Sequence, residues 1–188
     1  MRFEETAVAG VLIIRPKRHQ DHRGYFSEIL RDDLYASAGI TDRFVQENIS
    51  HSTAAGTLRG LHFQLAPRAQ AKLIRVTNGA IRDVAVDLRK DSPTFGHHVA
   101  ADLDAEAGAL MYVPAGCAHG FCTLVADTEV SYKVSDYWSA DHERGLLWCD
   151  PALGIEWPFA KEQVAITPRD RDYPVFADLP KVCFTYPS

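Results

Sequence analysis

The chain has 188 residues, of which 46% are hydrophobic and 24% charged, and its formal net charge is -5. This apolar content excludes intrinsic disorder, and the length suits one domain spanning residues 1–188. The acidic balance lacks the basic footprint of a nucleic-acid-binding protein, and no apolar run approaches the roughly 20 residues of a membrane helix. We therefore expect neither nucleic acid nor membrane as a partner.

Short segments of alternating polarity, separated by Gly, Pro, Asn and Asp, follow one another along the chain. Alternation predicts strands, because successive strand residues point to opposite faces. The predicted strands are 10–15, 26–31, 44–50, 58–64, 72–77, 83–88, 97–102, 110–113, 120–125 and 129–134. Residues 32–38 are typical of a helix ending at Gly39, and Asn78-Gly79 is typical of a hairpin turn. A turn is predicted near residues 141–144, and the proline-rich segment after Pro158 is expected to wrap the outside. Many strands with little helix indicate an all-β sandwich or barrel.

The N-terminus and the cysteines both indicate a cytoplasmic protein. The apolar run at 7–14 follows Glu4 and Glu5, where a secretory signal needs positive charge. The cysteines contain no CxxC pair and are too sparse for a disulfide framework, so we expect buried, reduced thiols. They are Cys117, Cys122, Cys149 and Cys183.

The segment GALMYVPAGCAHGF matches the second cupin motif, G-x5-P-x-G-x2-H, which ends here at His119. In metal cupins the first motif supplies an HxH pair and a glutamate. Here His62 is followed by Phe63 and Gln64, and the adjacent His97 and His98 point to opposite strand faces. The ligand set is incomplete, so we predict no metal. His119 could also be an ordinary core residue, because a lone histidine is commonly buried without a function.

Inward histidines without a metal indicate proton chemistry, because imidazole titrates near neutral pH. Lys72 alternates in phase with core positions, as does Tyr132, although a strand-end lysine or a core tyrosine would also fit. Arg59 and His62 have opposite parity along their strand. A bulge at Gly60 would bring both side chains into one cavity.

Eight motifs occur in the order typical of one family. They are DHRGYFSE, VQENISHS, GTLRGLHFQ, QAKLIRV, DVAVDLRKDSPTFG, VPAGCAHGF, YKVSDYW and HERGLLWCDP. The chain resembles the dTDP-4-dehydrorhamnose 3,5-epimerases over residues 15–174. The resemblance implies a homodimer of cupin-type jelly-roll β-barrels with a few short helices and no cofactor. It also implies conversion of dTDP-4-dehydro-6-deoxy-D-glucose to dTDP-4-dehydro-L-rhamnose by inversion at C3 and C5.

The resemblance also implies roles for individual residues. His62 would be the base, Asp170 its carboxylate partner and Tyr132 the acid. Lys72 and His119 would lie near the sugar ketone. The diphosphate would be bound by Arg23, Arg59 and Arg169, and the nucleotide and sugar by Phe26, Glu28, Gln46, Asn48 and Glu143. Trp138 would stack on thymine, although the family's usual second tyrosine is absent from Asp136-Tyr137-Trp138.

Three other interpretations stay open at this point. A relative that inverts only C3 or only C5 would have nearly the same sequence. A metal-dependent cupin oxygenase would share the fold, and metal analysis would reveal it. A module that only binds a sugar nucleotide is disfavoured, because it has no use for a base, an acid and an enolate donor together.

Overall fold

Strands account for most of the regular structure in the computed structural model, which describes residues 1–179 and 184–185. The first eight strands are β1 (Arg2–Glu5), β2 (Leu12–Arg15), β3 (Arg18–Asp21), β4 (Gly24–Ser27), β5 (Gln46–Ser52), β6 (Leu58–Gln64), β7 (Lys72–Asn78) and β8 (Ala80–Asp87). The others are β9 (Arg89–Lys90), β10 (His98–Asp104), β11 (Leu110–Val113), β12 (Cys117–Thr123), β13 (Thr128–Val134), β14 (Glu143–Gly145) and β15 (Phe184–Thr185). The helices are α1 (Asp32–Ser37), α2 (Pro168–Arg171) and the 3-10 turns Lys161–Gln163 and Phe176–Asp178.

Two antiparallel sheets form the barrel. One has six strands in the order β1-β2-β11-β7-β13-β5, and the other has five in the order β10-β8-β12-β6-β14. Strands β3 and β4 form a separate hairpin, and β9 pairs with β15 in parallel. The prediction of an all-β jelly-roll barrel with a few short helices is confirmed. No helix among the described residues has the length and apolarity to cross a membrane.

The main core lies between the sheets, where inward side chains such as Ile74, Ala85 and Phe121 pack together. Outside the six-stranded sheet, Tyr35 of α1 packs on a second apolar cluster. Outside the five-stranded sheet, the chain after β14 covers a third cluster, to which Phe176 contributes. The prediction that the segment after Pro158 wraps the outside is therefore confirmed.

The structure corrects two local predictions. Asn78-Gly79 makes no hairpin, because β7 pairs with β11 and β13 while β8 pairs with β10 and β12. Gly79 has a φ of 79°, so the chain turns sharply there, but it turns from one sheet into the other. The strand predicted at 26–31 ends at Ser27, because its partner β3 pairs only as far as that residue.

The thiols are partly as predicted. Cys117 and Cys122 are buried and Cys149 is half-buried, and all three are free. Cys183 lies outside the described residues.

The predicted bulge at Gly60 is confirmed. His62 of β6 lies opposite His119 of β12, and Arg59 lies opposite Phe121, so two residues of β6 face one of β12. Gly60 has a φ of 109°, and a Cβ there would lie 2.7 Å from the His119 carbonyl oxygen. Only glycine fits this close approach. The bulge brings Arg59 and His62 to the same side of the strand.

Candidate active site

A cavity of about 770 Å³ opens between the two sheets. Its wall includes side chains from both sheets and from the segment around α2. The candidate site residues that line it are Arg59, His62, Lys72, His119, Tyr132, Trp138, Glu143, Arg169 and Asp170. The structure therefore brings together the base, acid and cationic groups that the sequence singled out.

His62 and Asp170 form a hydrogen-bonded pair, although 108 positions separate them in the chain. The distance from His62 Nε2 to Asp170 Oδ1 is 2.9 Å. Asp170 lies in the first turn of α2, where the Thr167 hydroxyl accepts a hydrogen bond from its backbone N–H and Pro168 begins the helix. This N-cap fixes the helix start and so directs the carboxylate at β6.

The Asp170 carboxylate is ionised despite being buried. Burial alone would raise its pKa, but the hydrogen bonds from His62 and from the Gly60 backbone N–H outweigh that effect and hold the pKa below its usual value. An ionised carboxylate on Nε2 fixes the His62 tautomer and stabilises the imidazolium formed when the ring takes up a proton. The proton-accepting nitrogen is then Nδ1.

Lys72 bridges the two sheets beneath the cavity. It begins β7 in one sheet, and its Nζ donates to the His62 carbonyl oxygen in the other at 3.1 Å. Lys72 does stand at the end of its strand, but its side chain is buried and does not reach out to solvent. Burial lowers the pKa of Lys72 to about 8, while Glu143 and Asp83 oppose the shift. One ammonium donor is used by the protein, and two are left for a ligand.

His119 forms a second histidine–carboxylate pair, deeper in the barrel. Its Nε2 lies 2.6 Å from Asp83 Oδ1, and both side chains are buried. Burial lowers the pKa of His119, and Lys72 and His62 add to the effect, whereas Asp83 opposes it. A neutral ring that donates Nε2–H to Asp83 has an acceptor at Nδ1.

Tyr132 lies on β13 in the six-stranded sheet, whereas His62 lies on β6 in the five-stranded sheet. The two side chains therefore line the cavity from opposite walls. Burial raises the pKa of Tyr132, with Arg59 opposing and Glu143 adding to the shift. The phenol is consequently protonated at neutral pH and has a proton to donate.

Charged groups surround the cavity beyond this centre. An Arg59 guanidinium nitrogen donates to the His51 carbonyl oxygen at 3.1 Å, which anchors the arginine at the wall. Arg169 donates to Glu143 at 2.6 Å. The Glu143 side chain is 13% exposed, whereas the Arg169 side chain is 57% exposed. Two guanidinium groups thus face a site that suits an anion.

A smaller cavity of about 140 Å³ adjoins the first and shares His62, Lys72 and Tyr132 with it. Gln46 and Asn48 line it, and their side chains hydrogen-bond to each other at 2.8 Å. The Trp138 backbone N–H donates to the Gln46 side chain at 3.2 Å, and its indole is 57% exposed. An exposed indole beside polar amides suits a planar, polar ligand.

Three predicted binding residues lie elsewhere. Arg23, Phe26 and Glu28 belong to or follow the β3–β4 hairpin, and none of them lines the cavity of its own chain. Arg23 pairs with Asp21, and Phe26 is 70% exposed.

Sequence reasoning missed Asp83 and Tyr173. Asp83 alternates in phase with the inward-facing Ala85, so an acidic residue on a core face was the available signal. Tyr173 packs edge-on against His62, with 5.7 Å between ring centroids. Nothing in the pattern around Tyr173 indicates that contact.

A second large cavity, of about 640 Å³, is a weaker candidate for an active site, because no histidine, lysine or cysteine is among the described residues that line it. Two of the charged side chains that line it are already paired, because Tyr112 donates to Asp42 and Arg89 donates to Asp87. Within residues 1–179 and 184–185, no three His, Cys, Asp or Glu side chains are grouped as metal ligands. Metal independence stays a prediction.

Comparison with known proteins identifies the family. The sequence profile of the dTDP-4-dehydrorhamnose 3,5-epimerases matches residues 5–178. An enzyme of that name from Sinorhizobium fredii is 50% identical over 186 residues, which is 99% of this chain and 94% of the relative. The chain belongs to this family. It is an isomerase of the epimerase class, and the resemblance seen in the sequence is confirmed.

Solved structures of the family share the fold. The dTDP-4-dehydrorhamnose 3,5-epimerase of Bacillus anthracis, crystallised with TDP and PPi, is 46% identical, with a TM-score of 0.89 over 93% of this chain and 98% of the other. The Legionella pneumophila epimerase, in complex with dTDP-4-keto-L-rhamnose, is 38% identical, with a TM-score of 0.92 over 100% and 99%. A 3′-monoepimerase from Streptomyces bikiniensis, in complex with dTDP-quinovose, is 32% identical, with a TM-score of 0.84 over 93% and 87%. The cupin-type jelly roll is confirmed, and it serves both double and single epimerases.

Proposed function

We propose that the chain converts dTDP-4-dehydro-6-deoxy-D-glucose to dTDP-4-dehydro-L-rhamnose by inverting C3 and C5 through enolate intermediates, in deoxysugar biosynthesis. The observation that carries this proposal is one cavity with the His62–Asp170 pair on one wall and Tyr132 on the other. Inversion requires removal of a proton from one face of the ring and delivery of another to the opposite face. A cavity with a base and an acid on facing walls suits that requirement.

His62 acts as the base in this scheme. Its Nδ1 takes the proton from the carbon beside the ketone, the electron pair of the C–H bond forms the enolate, and Asp170 stabilises the imidazolium. Tyr132 then gives its phenolic proton to the opposite face of the same carbon. Exchange with solvent returns the proton to Tyr132 and removes it from His62, and the sequence repeats at the second carbon.

Lys72 stabilises the enolate oxygen. The carbon acid beside a ketone ionises only where negative charge on the oxygen is stabilised, and a buried ammonium does this strongly because little water screens it. We assign the donor role to Lys72 rather than to His119, because a neutral His119 bonded to Asp83 has an acceptor at its other nitrogen. His119, held by Asp83 behind it, instead lines the floor beside the ketone.

The remaining lining residues bind the nucleotide. Arg59 and Arg169 suit the diphosphate, because guanidinium groups donate to two oxygens at once. Trp138 offers an exposed indole on which the thymine ring of the nucleotide can stack, and Gln46 and Asn48 offer amide groups beside it. Glu143 orients Arg169 through their ion pair.

We propose a homodimer in which the hairpin bearing Arg23, Phe26 and Glu28 completes the cavity of a second copy. Two observations support this. The hairpin has an exposed aromatic surface, with Tyr25 52% and Phe26 70% exposed, and such a surface is common at interfaces. Its residues also lie outside the cavity of their own chain. We further propose that residues 1–188 form one domain, that the enzyme works in the cytoplasm and that it uses no cofactor.

Incubation with dTDP-4-dehydro-6-deoxy-D-glucose in heavy water tests the function. Carbon-resolved NMR should show deuterium at C3 and C5 and a product inverted at both. His62→Ala should abolish both exchanges, and His97→Ala is the matched control, because His97 is exposed and outside the cavity. Exchange at one carbon alone would assign the chain to the single epimerases instead. Turnover that depends on a co-purifying metal would contradict the mechanism and favour the oxygenase.

A further inference from the structure

Tyr173 touches the proposed base from outside the cavity. The chain leaves α2 after Asp170 and places the Tyr173 ring against the His62 imidazole, with an angle of 81° between the ring planes and 5.7 Å between their centroids. This is the edge-to-face arrangement that aromatic pairs favour. Asp170 and Tyr173 therefore contact the same imidazole from one short segment.

A glycine makes the space for this ring. Gly145 of β14 lies directly opposite His62 of β6, and side chains at paired positions point to the same face. A Cβ at Gly145 would lie 2.2 Å from Tyr173, and its three nearest atoms all belong to that ring. Any larger residue at position 145 would therefore displace the tyrosine from His62.

The ring of Tyr173, rather than its hydroxyl, makes this contact. The hydroxyl oxygen is buried, and the nearby Arg169 makes no hydrogen bond of good geometry to it. Burial also raises the pKa of Tyr173, which keeps the phenol neutral. The side chain thus adds packing beside His62 and no charge.

We propose that Tyr173 is a positioning residue that fixes the orientation of the His62 ring. The hydrogen bond to Asp170 holds one imidazole nitrogen but leaves the ring free to tilt about that contact. The tyrosine ring restricts this motion and keeps Nδ1 directed at the sugar. Proton abstraction is sensitive to such alignment, since a displacement of about 1 Å lowers rates by up to about 100-fold. The proposal rests on His62 being the base.

Three variants distinguish the effect of the Tyr173 ring from the effects of its hydroxyl and of the surrounding segment. Tyr173→Leu should lower kcat about 10- to 100-fold with KM within about twofold, and should lower exchange at C3 and C5 by the same factor, because one imidazole serves both carbons. Tyr173→Phe keeps the ring and should restore kcat. Phe176→Leu is the matched control, because Phe176 lies in the same segment but packs against Phe95; its kcat should equal that of the wild type.

Gly145→Ala gives an independent test by displacing the ring without removing it. It should lower kcat as Tyr173→Leu does, and the double variant Gly145→Ala/Tyr173→Leu should be no worse than Tyr173→Leu alone, because the clash has gone. Circular dichroism and thermal melting establish that each variant is folded. Additive losses in the double variant would overturn the proposal.

The outcomes also distinguish this proposal from the function on which it rests. Wild-type kcat in folded Tyr173→Leu and Gly145→Ala proteins would overturn the positioning role and leave the base assignment intact. A loss in Tyr173→Phe as large as in Tyr173→Leu would show that the hydroxyl matters, which also overturns it. Exchange at the wild-type rate in His62→Ala would refute the base assignment itself.

Discussion

Replacing Lys72 by Met tests the proposed enolate donor, because it removes the charge and keeps an unbranched side chain of similar length. Lys72 is buried beneath the cavity, and its Nζ donates to the His62 carbonyl oxygen. Removing one donor to a developing oxyanion typically lowers kcat about 100- to 1,000-fold. We expect Lys72→Met to lose activity in that range while still binding the nucleotide, since the arginines are unchanged.

The same substitution should not destabilise the fold at pH 7. The pKa of Lys72 falls from 10.5 to about 8 on burial, which at 1.36 kcal/mol per pH unit corresponds to about 3 kcal/mol of lost folding free energy. Methionine removes that penalty but leaves the His62 carbonyl without this donor, at a cost of about 1 to 3 kcal/mol. The variant should therefore be as stable as the wild type or more stable by up to about 2 kcal/mol.

The pH dependence of the stability difference between Lys72→Met and the wild type shows whether it comes from the buried ammonium group. Below pH 8 the lysine is protonated in both the folded and unfolded states, so the whole penalty is present. Between pH 8 and 10.5 the unfolded state binds more protons than the folded state, so the free energy of unfolding of the wild type rises with pH. Above 10.5 the lysine is neutral in both states. The stability of Lys72→Met relative to the wild type should therefore decline across this window.

Urea unfolding of both proteins at several pH values between 7 and 10.5, combined with the heavy-water assay, measures all of these quantities. Wild-type activity should fall as pH rises through about 8, where Lys72 loses its proton. A stability difference that stays constant from pH 8 to 10.5 would refute the reasoning about burial. Wild-type kcat in Lys72→Met would refute the donor assignment.

Four further predictions concern the rest of the mechanism. His62→Ala should abolish exchange at C3 and C5 while nucleotide binding persists, and retention of exchange would remove His62 from the scheme. Tyr132→Phe keeps the ring and should fold, but it should lose C5-inverted product about 100- to 10,000-fold. Tyr137→Phe, which changes an exposed tyrosine, is its control. Arg59→Ala should weaken substrate binding by about 2 to 5 kcal/mol, measured by calorimetry, and an unchanged affinity would exclude a diphosphate contact. Chelator treatment should leave turnover unchanged, and loss of activity that a metal restores would contradict this.

Local pattern was enough to predict most of the barrel and part of its cavity, whereas Asp170 was assigned only through the family resemblance. The predicted bounds of β6 and β11 match the observed ones, because glycine and proline residues in the flanking turns delimit both strands. Alternation indicated the inward face of other strands. It also placed Lys72 and Tyr132 on inward faces. The opposite parity of Arg59 and His62 predicted the bulge at Gly60, where the register does change.

Contacts between distant segments could not be read from pattern. Asn78-Gly79 has the local conformation of a hairpin turn, yet the hydrogen-bond partners of β7 and β8 lie in different sheets. The contact between Tyr173 and His62 depends on where the chain travels after β14 and on the space above Gly145. Likewise, the sequence alone gives no sign that Arg23, Phe26 and Glu28 lie outside the cavity of their own chain.

Burial distinguishes the two histidine–carboxylate pairs. His62 with Asp170 and His119 with Asp83 make the same kind of bond, at 2.9 and 2.6 Å, but the His62 side chain is 30% exposed and that of His119 is 7% exposed. A base that serves two carbons in turn must release its proton to water between steps, and only an accessible imidazole can do so quickly. Burial also lowers the pKa of His119 and so opposes the imidazolium that a base must form. In the proposed mechanism, the same pairing therefore serves as a base at the cavity wall and as a fixed, neutral neighbour of the ketone at its floor.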